Sequence, residues 1–272
     1  MRDSFKSILI PVDFSINTEV AVKKTLEITG SDNATVHLLH ITAVKNRNEN
    51  PEHKKIEKML GEWKNSIEET MPSSIVKSEI AFGSSVQQSI IDKAIEWQTD
   101  LIVIGQKSNH YWFPFLNTVI PVDVAEQTGN AVLTVKPGAL HNKIRTLVMP
   151  VSNNVPSHKM DAIAALCKRF KLKIHLVTFM EDNNSPSEFS AFSLLKVYQW
   201  LKDSMHCPVE YAVLHGYNKA RALLDYSKKV DADILLVNTN SETKIGAFNR
   251  HISNVLPPAS RVQVLTIQTE IN

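Results

Sequence analysis

The chain has 272 residues, which at roughly 150 per domain makes two similar domains the first expectation. Hydrophobic residues make up 43% and charged residues 21%, enough apolar material for compact cores and too little charge for a disordered chain. Thirty Lys and Arg against 28 Asp and Glu leave a net charge of +2, without the basic excess that marks a nucleic-acid binder.

Short apolar runs alternate with longer segments of helical period, the pattern of a parallel sheet with crossover helices. Ile8 to Val12 reads as the first strand. Ala21, Val22, Thr25, Leu26 and Ile28 then recur at three- and four-residue steps, so residues 17–29 form an amphipathic helix with Ser15 as a cap before it. Residues 34–41, ATVHLLHI, form a second strand. Ile56, Leu60, Trp63 and Ile67 mark a helix over 51–70 with one buried stripe. Residues 75–81 alternate as a strand. After Gly83, a Ser-capped helix turns Val86, Ile90, Ala94 and Trp97 inward. Residues 101–105 are a fully apolar strand. A loop of unusual composition, SNHYWFPFLNTVIPVD, then leads through a short helix near Ala125 to a fifth strand over 131–136. Lys136-Pro137-Gly138 breaks the chain, which places a domain boundary near Asn142 and domains at 1–140 and 143–272.

The series then repeats. Ile8-Leu9-Ile10-Pro11-Val12 matches Leu147-Val148-Met149-Pro150-Val151, Val36-His37-Leu38 matches Ile174-His175-Leu176, and Gly83 matches Gly216. Asp100-Leu101-Ile102-Val103-Ile104 matches Asp233-Ile234-Leu235-Leu236-Val237, and Val132-Leu133-Thr134-Val135 matches Val264-Leu265-Thr266-Ile267. The offset drifts from 139 to 132 without breaking order. Two copies of one five-stranded α/β unit account for that collinearity.

The segments ILIPVDFS, VHLLHI, DLIVIG and AVLTVKPG, in this order and at these distances, resemble the universal stress protein family, here in tandem form. The resemblance spans nearly the whole chain. It implies two Rossmann-like domains, each a five-stranded parallel sheet of order 3-2-1-4-5 with helices on both faces. They would pack as an internal pseudo-dimer, with residues 131–136 beside 262–268. In nucleotide-binding members an Asp after the first strand contacts the base, and a Gly-x2-Gly-x9-Gly-Ser/Thr loop wraps the phosphates. The matching positions here are Asp13, Gly105, Ser108, Thr118 and Val119 in the first half, and Ser152, Asn238, Ser241, His251 and Ile252 in the second.

The chain holds eight glycines, and no two lie within eight residues of each other, which excludes P-loop and dinucleotide fingerprints. Phosphate cradled by consecutive backbone amides needs close approach without a Cβ, so most of the family's loop is missing. Tyr111, Trp112, Phe113 and Phe115 fill the same loop and suit either a plug for the vacated crevice or an exposed contact for a partner. Asp13, Gly105, Lys107, Ser108 and Thr118 remain as the residues of a remnant nucleotide site.

His37 and His40 are three apart on a strand and point to opposite faces, so they cannot share a metal. One acid, Asp13, has no positioned partner for catalysis and is as well explained as a helix cap. Cys167 and Cys207 are too few for a disulfide framework and fit a reducing compartment. No run reaches about 18 apolar residues, and the first strand ends in Pro and Asp instead of a cleavable signal. The expectation is a cytoplasmic, non-enzymatic stress-response protein with no catalytic or metal site and no cofactor. It would act through a protein partner or self-association, a homodimer of two-domain chains included, with no nucleic acid or membrane. The alternative is a switch holding ATP or AMP in the first domain at Asp13 and Gly105.

Overall fold

The structure, a computed structural model, describes residues 5–30, 33–42, 51–106, 119–151, 157–180, 188–215, 218–239, 244–245 and 250–268. The first half runs β1 (Ser7–Pro11), α1 (Ile16–Thr29), β2 (Thr35–Thr42), α2 (Pro51–Thr70), β3 (Ile75–Phe82), α3 (Val86–Glu96), β4 (Leu101–Gly105), α4 (Pro121–Thr128) and β5 (Ala131–Val135). The second runs β6 (Thr146–Pro150), α5 (Ser157–Arg169), β7 (Lys173–Met180), α6 (Glu188–Met205), β8 (Val209–His215), α7 (Lys219–Lys229) and β9 (Ile234–Asn238). The hairpin β10 (Lys244–Ile245) and β11 (Arg250–His251) follows, then α8 (Ile252–Val255) and β12 (Gln263–Ile267). The small hairpin has no counterpart in the sequence reading.

Among the described residues, ten strands form one sheet in the order β3-β2-β1-β4-β5-β12-β9-β6-β7-β8. Each half contributes five parallel strands, and the halves meet where β5 and β12 run antiparallel. The expected order 3-2-1-4-5 holds in both, with the two sheets fused into one. Leu133 pairs with Leu265, flanked by Thr134 with Val264 and Val132 with Thr266. Under the 132-residue offset of the repeat this register maps onto itself, so an approximate two-fold axis passes through the Leu133–Leu265 pair.

Fusion is unequal on the two faces. On the face of α1, α2, α5 and α6, buried residues of both halves form one cluster, from Ile8, Val36 and Leu133 to Leu147, Leu176 and Leu265. The other face keeps two separate clusters, one around Leu9, Ile90 and Ile104 and the other around Val148, Leu223 and Leu235. Polar contacts join the halves on the fused face. Lys24 of α1 is fully buried and its ammonium donates to the Asn142 carbonyl and to Glu27 at 2.8 Å. Arg169 of α5 donates from Nε to the Glu27 carbonyl at 2.9 Å, giving a cation to the C-terminal end of α1.

The repeated Asp before the fourth strand has a physical role in both copies. Asp100 accepts from the backbone amide of Lys6 at 2.9 Å and of Ser7 at 3.3 Å, at the entry to β1. Asp233, 1% exposed, accepts from Arg145 N at 2.8 Å and Thr146 N at 2.9 Å at the entry to β6, and from the Arg261 guanidinium at 3.2 Å. Each carboxylate aligns the central strand of its half with its neighbour through charge-assisted bonds. Asp233→Ala leaves two amides without an acceptor and is expected to destabilise the fold by roughly 2–4 kcal/mol in urea titrations, with Asp233→Asn costing less.

The matched histidines also occupy like settings. His37 stacks on Trp97 with ring centroids 4.6 Å apart, and His175 reaches the Tyr226 hydroxyl at 3.1 Å. Burial, with Lys77 adding to it and Glu79 opposing, lowers the His37 pKa from 6.5 to about 4. The native state therefore keeps His37 neutral while the unfolded chain protonates it below pH 6.5. Its contribution to stability is intact above that pH and is lost as pH falls from 6.5 toward 4. The loss is on the order of 2–3 kcal/mol, and His37→Phe is expected to flatten that part of a stability-against-pH curve.

Candidate functional site

An open parallel sheet binds ligands beyond the carboxyl ends of its strands, where the winding reverses. In the first half that point lies between β1 and β4, which pair directly. The sequence placed Asp13 and Gly105 there, and both lie at the strand ends on that edge. Lys107, Ser108, Tyr111, Trp112, Phe113, Phe115 and Thr118 fall outside the described residues, as do Ser152 and Ser241.

The Asp13 carboxylate is turned onto its own helix. Its Oδ1 accepts from Ser15 N at 3.0 Å, from Ser15 Oγ at 2.5 Å and from Thr18 Oγ1 at 2.7 Å, while Thr18 Oγ1 accepts from Asp13 N at 3.0 Å. Ser15 Oγ in turn accepts from Asn17 N at 3.3 Å and is the N-cap of α1. The positive end of α1, the part of this edge best suited to an anion, is thus already faced by a carboxylate of the chain.

Gly105 has an equally local cause. A Cβ built on it would overlap the main-chain carbonyl of Asn17 in the first turn of α1. Glycine at the end of β4 lets α1 lie directly on the sheet. The corner past β1 is filled in the same way. Phe14 holds a left-handed φ of 58°, costly for a residue with a Cβ. Its ring lies 5.2 Å from that of His40 and edge-on to Trp63 at 6.4 Å. His40 anchors this group by donating from Nδ1 to the Val12 carbonyl at 2.8 Å, and burial lowers its pKa.

One residue that sequence reasoning used only as a chain break stands out. Lys136 follows β5, beside Gln106, whose amide donates to the Val135 carbonyl at 3.0 Å. It is 1% exposed, and among the described residues its ammonium makes no hydrogen bond or ion pair. Desolvation lowers its pKa to about 8. Its position inside a strand-ending motif gave no sign of burial, since lysines are seldom buried without a partner. In the second half another lysine is buried at the matching edge, Lys159, which donates to the Pro150 carbonyl at 2.9 Å from the first turn of α5. Among the described residues no group of three or more His, Cys, Asp or Glu could hold a metal ion, and no helix is long and apolar enough to cross a membrane.

Residues 4–132 match the model of the universal stress protein family. The first half of the chain belongs to that family. No curated protein matches the chain. Among solved structures, a universal stress protein from Archaeoglobus fulgidus DSM 4304 superposes with a TM-score of 0.66 at 15% identity, over 98% of this chain and 97% of that one. A functionally unknown protein from Pseudomonas aeruginosa PAO1 gives 0.61 at 16%, over 98% and 93%. The cytoplasmic domain of a prokaryotic cation chloride cotransporter gives 0.59 at 12%, over 96% and 95%. At these identities the likeness is one of fold, and it extends the universal stress protein architecture across both halves.

Gly105→Ala tests the local reading of the family glycine. It is expected to destabilise the protein by about 1–3 kcal/mol through overpacking against Asn17, measured by chemical denaturation without any ligand present.

Proposed function

We propose that this chain is a non-enzymatic, cytoplasmic stress-response protein of two universal-stress-type domains, residues 1–140 and 143–272. It acts by binding a protein partner or another copy of itself, and adenine-nucleotide binding has been lost from its first crevice. The observation that carries the reading is that Asp13 and Gly105 are both used by the fold, one bonded to the cap residue Ser15 and to Thr18 of α1 and the other as the seat of its first turn. A nucleotide there would have to compete with Ser15 and Thr18 for the carboxylate and with the Phe14, His40 and Trp63 rings for the corner past β1. Partner binding is supported by apolar side chains left in solvent on the second half. Phe192 and Leu195 on α6 are 57% and 51% exposed, and Tyr211 on the edge strand β8 is 68% exposed. In this reading Tyr111, Trp112, Phe113 and Phe115 are a further partner contact or the filling of the crevice.

Thermal unfolding with millimolar ATP or AMP and Mg2+ is expected to leave the midpoint where buffer alone puts it. A ligand at about a hundred times its dissociation constant adds roughly 2.7 kcal/mol. A saturable upward shift that Asp13→Ala removes would overturn the proposal in favour of an ATP- or AMP-holding switch. Native mass spectrometry of the same sample reads out self-association.

A further inference from the structure

The chain has two cysteines, and the fold brings them together across 40 residues of sequence. Cys167 lies near the end of α5. Cys207 lies just beyond α6, after His206, whose left-handed φ of 53° turns the chain out of the helix. The Cys207 Sγ donates to the Cys167 Sγ at 3.1 Å. Cys207 is held on both sides. Its amide donates to the Leu201 carbonyl at 3.3 Å, and the carbonyl of the following Pro208 accepts from Ile174 N at 2.9 Å at the start of β7. A disulfide requires about 2.05 Å between sulfurs, so closure asks for about 1 Å of movement within an otherwise fixed arrangement.

We propose that Cys167 and Cys207 are a thiol–disulfide site, closed into an intrachain disulfide by hydrogen peroxide or a small disulfide and reopened by a dithiol. With peroxide, the thiolate of one cysteine attacks a peroxide oxygen and the O–O bond breaks. The departing hydroxide takes up a proton to become water, leaving a sulfenic acid. The second cysteine sulfur attacks the sulfenic sulfur, the S–O bond breaks, and a second water leaves with the remaining thiol proton. The two sulfurs lose two electrons in total and the peroxide gains them.

The surroundings shape the chemistry. Cys207 is 8% exposed and Cys167 is half-buried among the residues that line the fused face. Burial, with the Cys207 sulfur adding to it, raises the Cys167 pKa. The thiolate is therefore scarce at neutral pH, and the pair reacts slowly with oxidant. The bond would tie the last turn of α5 to the entry of β8, closing a loop that contains β7 and α6.

The test uses the full chain. Reduced protein is treated with hydrogen peroxide, quenched with catalase, denatured, alkylated with N-ethylmaleimide and weighed intact. The expected product takes no maleimide, weighs about 2 Da less than the reduced chain, stays monomeric on a non-reducing gel and yields a peptide linking Cys167 to Cys207. Dithiothreitol restores two alkylated thiols. The thermal midpoint is expected to rise by roughly 5–10 °C on closure, from the entropy of the closed loop. The rise should be absent in Cys167→Ala and in Cys207→Ser. The proposal fails if both thiols remain alkylatable after a treatment that links them in urea, if they carry only added oxygen, or if the disulfide joins two chains.

Discussion

The antiparallel pairing of β5 with β12 is the constraint on which the rest of the molecule depends. Its centre, Leu133 against Leu265, makes one ten-stranded sheet from two parallel ones and removes an exposed edge from each half. It also brings α1 and α5 onto the same face, where their apolar residues merge into a single core across the axis. Lys24 and the exposed Arg169 reach main-chain carbonyls along this seam, so the buried Lys24 charge is matched to a fixed dipole and to Glu27. On the opposite face the cores stay apart, and each half keeps its own small hydrophobic layer.

That arrangement explains why residues that resemble ligand contacts serve the fold. With α1 drawn down onto the sheet, its first turn reaches the end of β4, and Gly105 has to lack a side chain to admit the Asn17 carbonyl. Once the helix starts there, its exposed amides need acceptors; Ser15 Oγ takes that of Asn17, and Asp13 holds the Ser15 and Thr18 hydroxyls in place. The remaining corner closes over Phe14, which accepts an unfavourable backbone angle to pack against the His40 and Trp63 rings. At this edge Asp13, Phe14 and Gly105 all make contacts within the chain itself. The thiol pair sits on the same fused face in the other half, where α5 and the segment after α6 are held close by the common core.

Much of this was legible in one dimension. Strand runs such as Ile8 to Val12 and Leu101 to Gly105 are apolar because both faces of a parallel sheet are covered, so they stand out without any three-dimensional information. The stripe of Ile56, Leu60, Trp63 and Ile67 fixed α2 to the residue, and Ser15 marked the cap of α1. The collinear repeat gave two α/β halves, and the family resemblance supplied the strand order and the partner of β5. The sequence reading named Asp13 and Gly105 as a remnant site and offered helix capping as the other account of Asp13; the cap is Ser15, to which Asp13 bonds.

Local pattern and repetition, then, determined the elements and their duplication, because strand and helix periodicities are written in neighbouring residues. Tertiary structure decided what individual side chains do, because that depends on groups far away in the chain. The carboxylates of Asp100 and Asp233 meet amides roughly ninety residues distant. Lys136 and Lys24 are buried by strands and helices that composition alone leaves anonymous. Cys167 and Cys207, too few to mean anything as a count, become neighbours only when α5 and α6 fold onto the same face of the sheet.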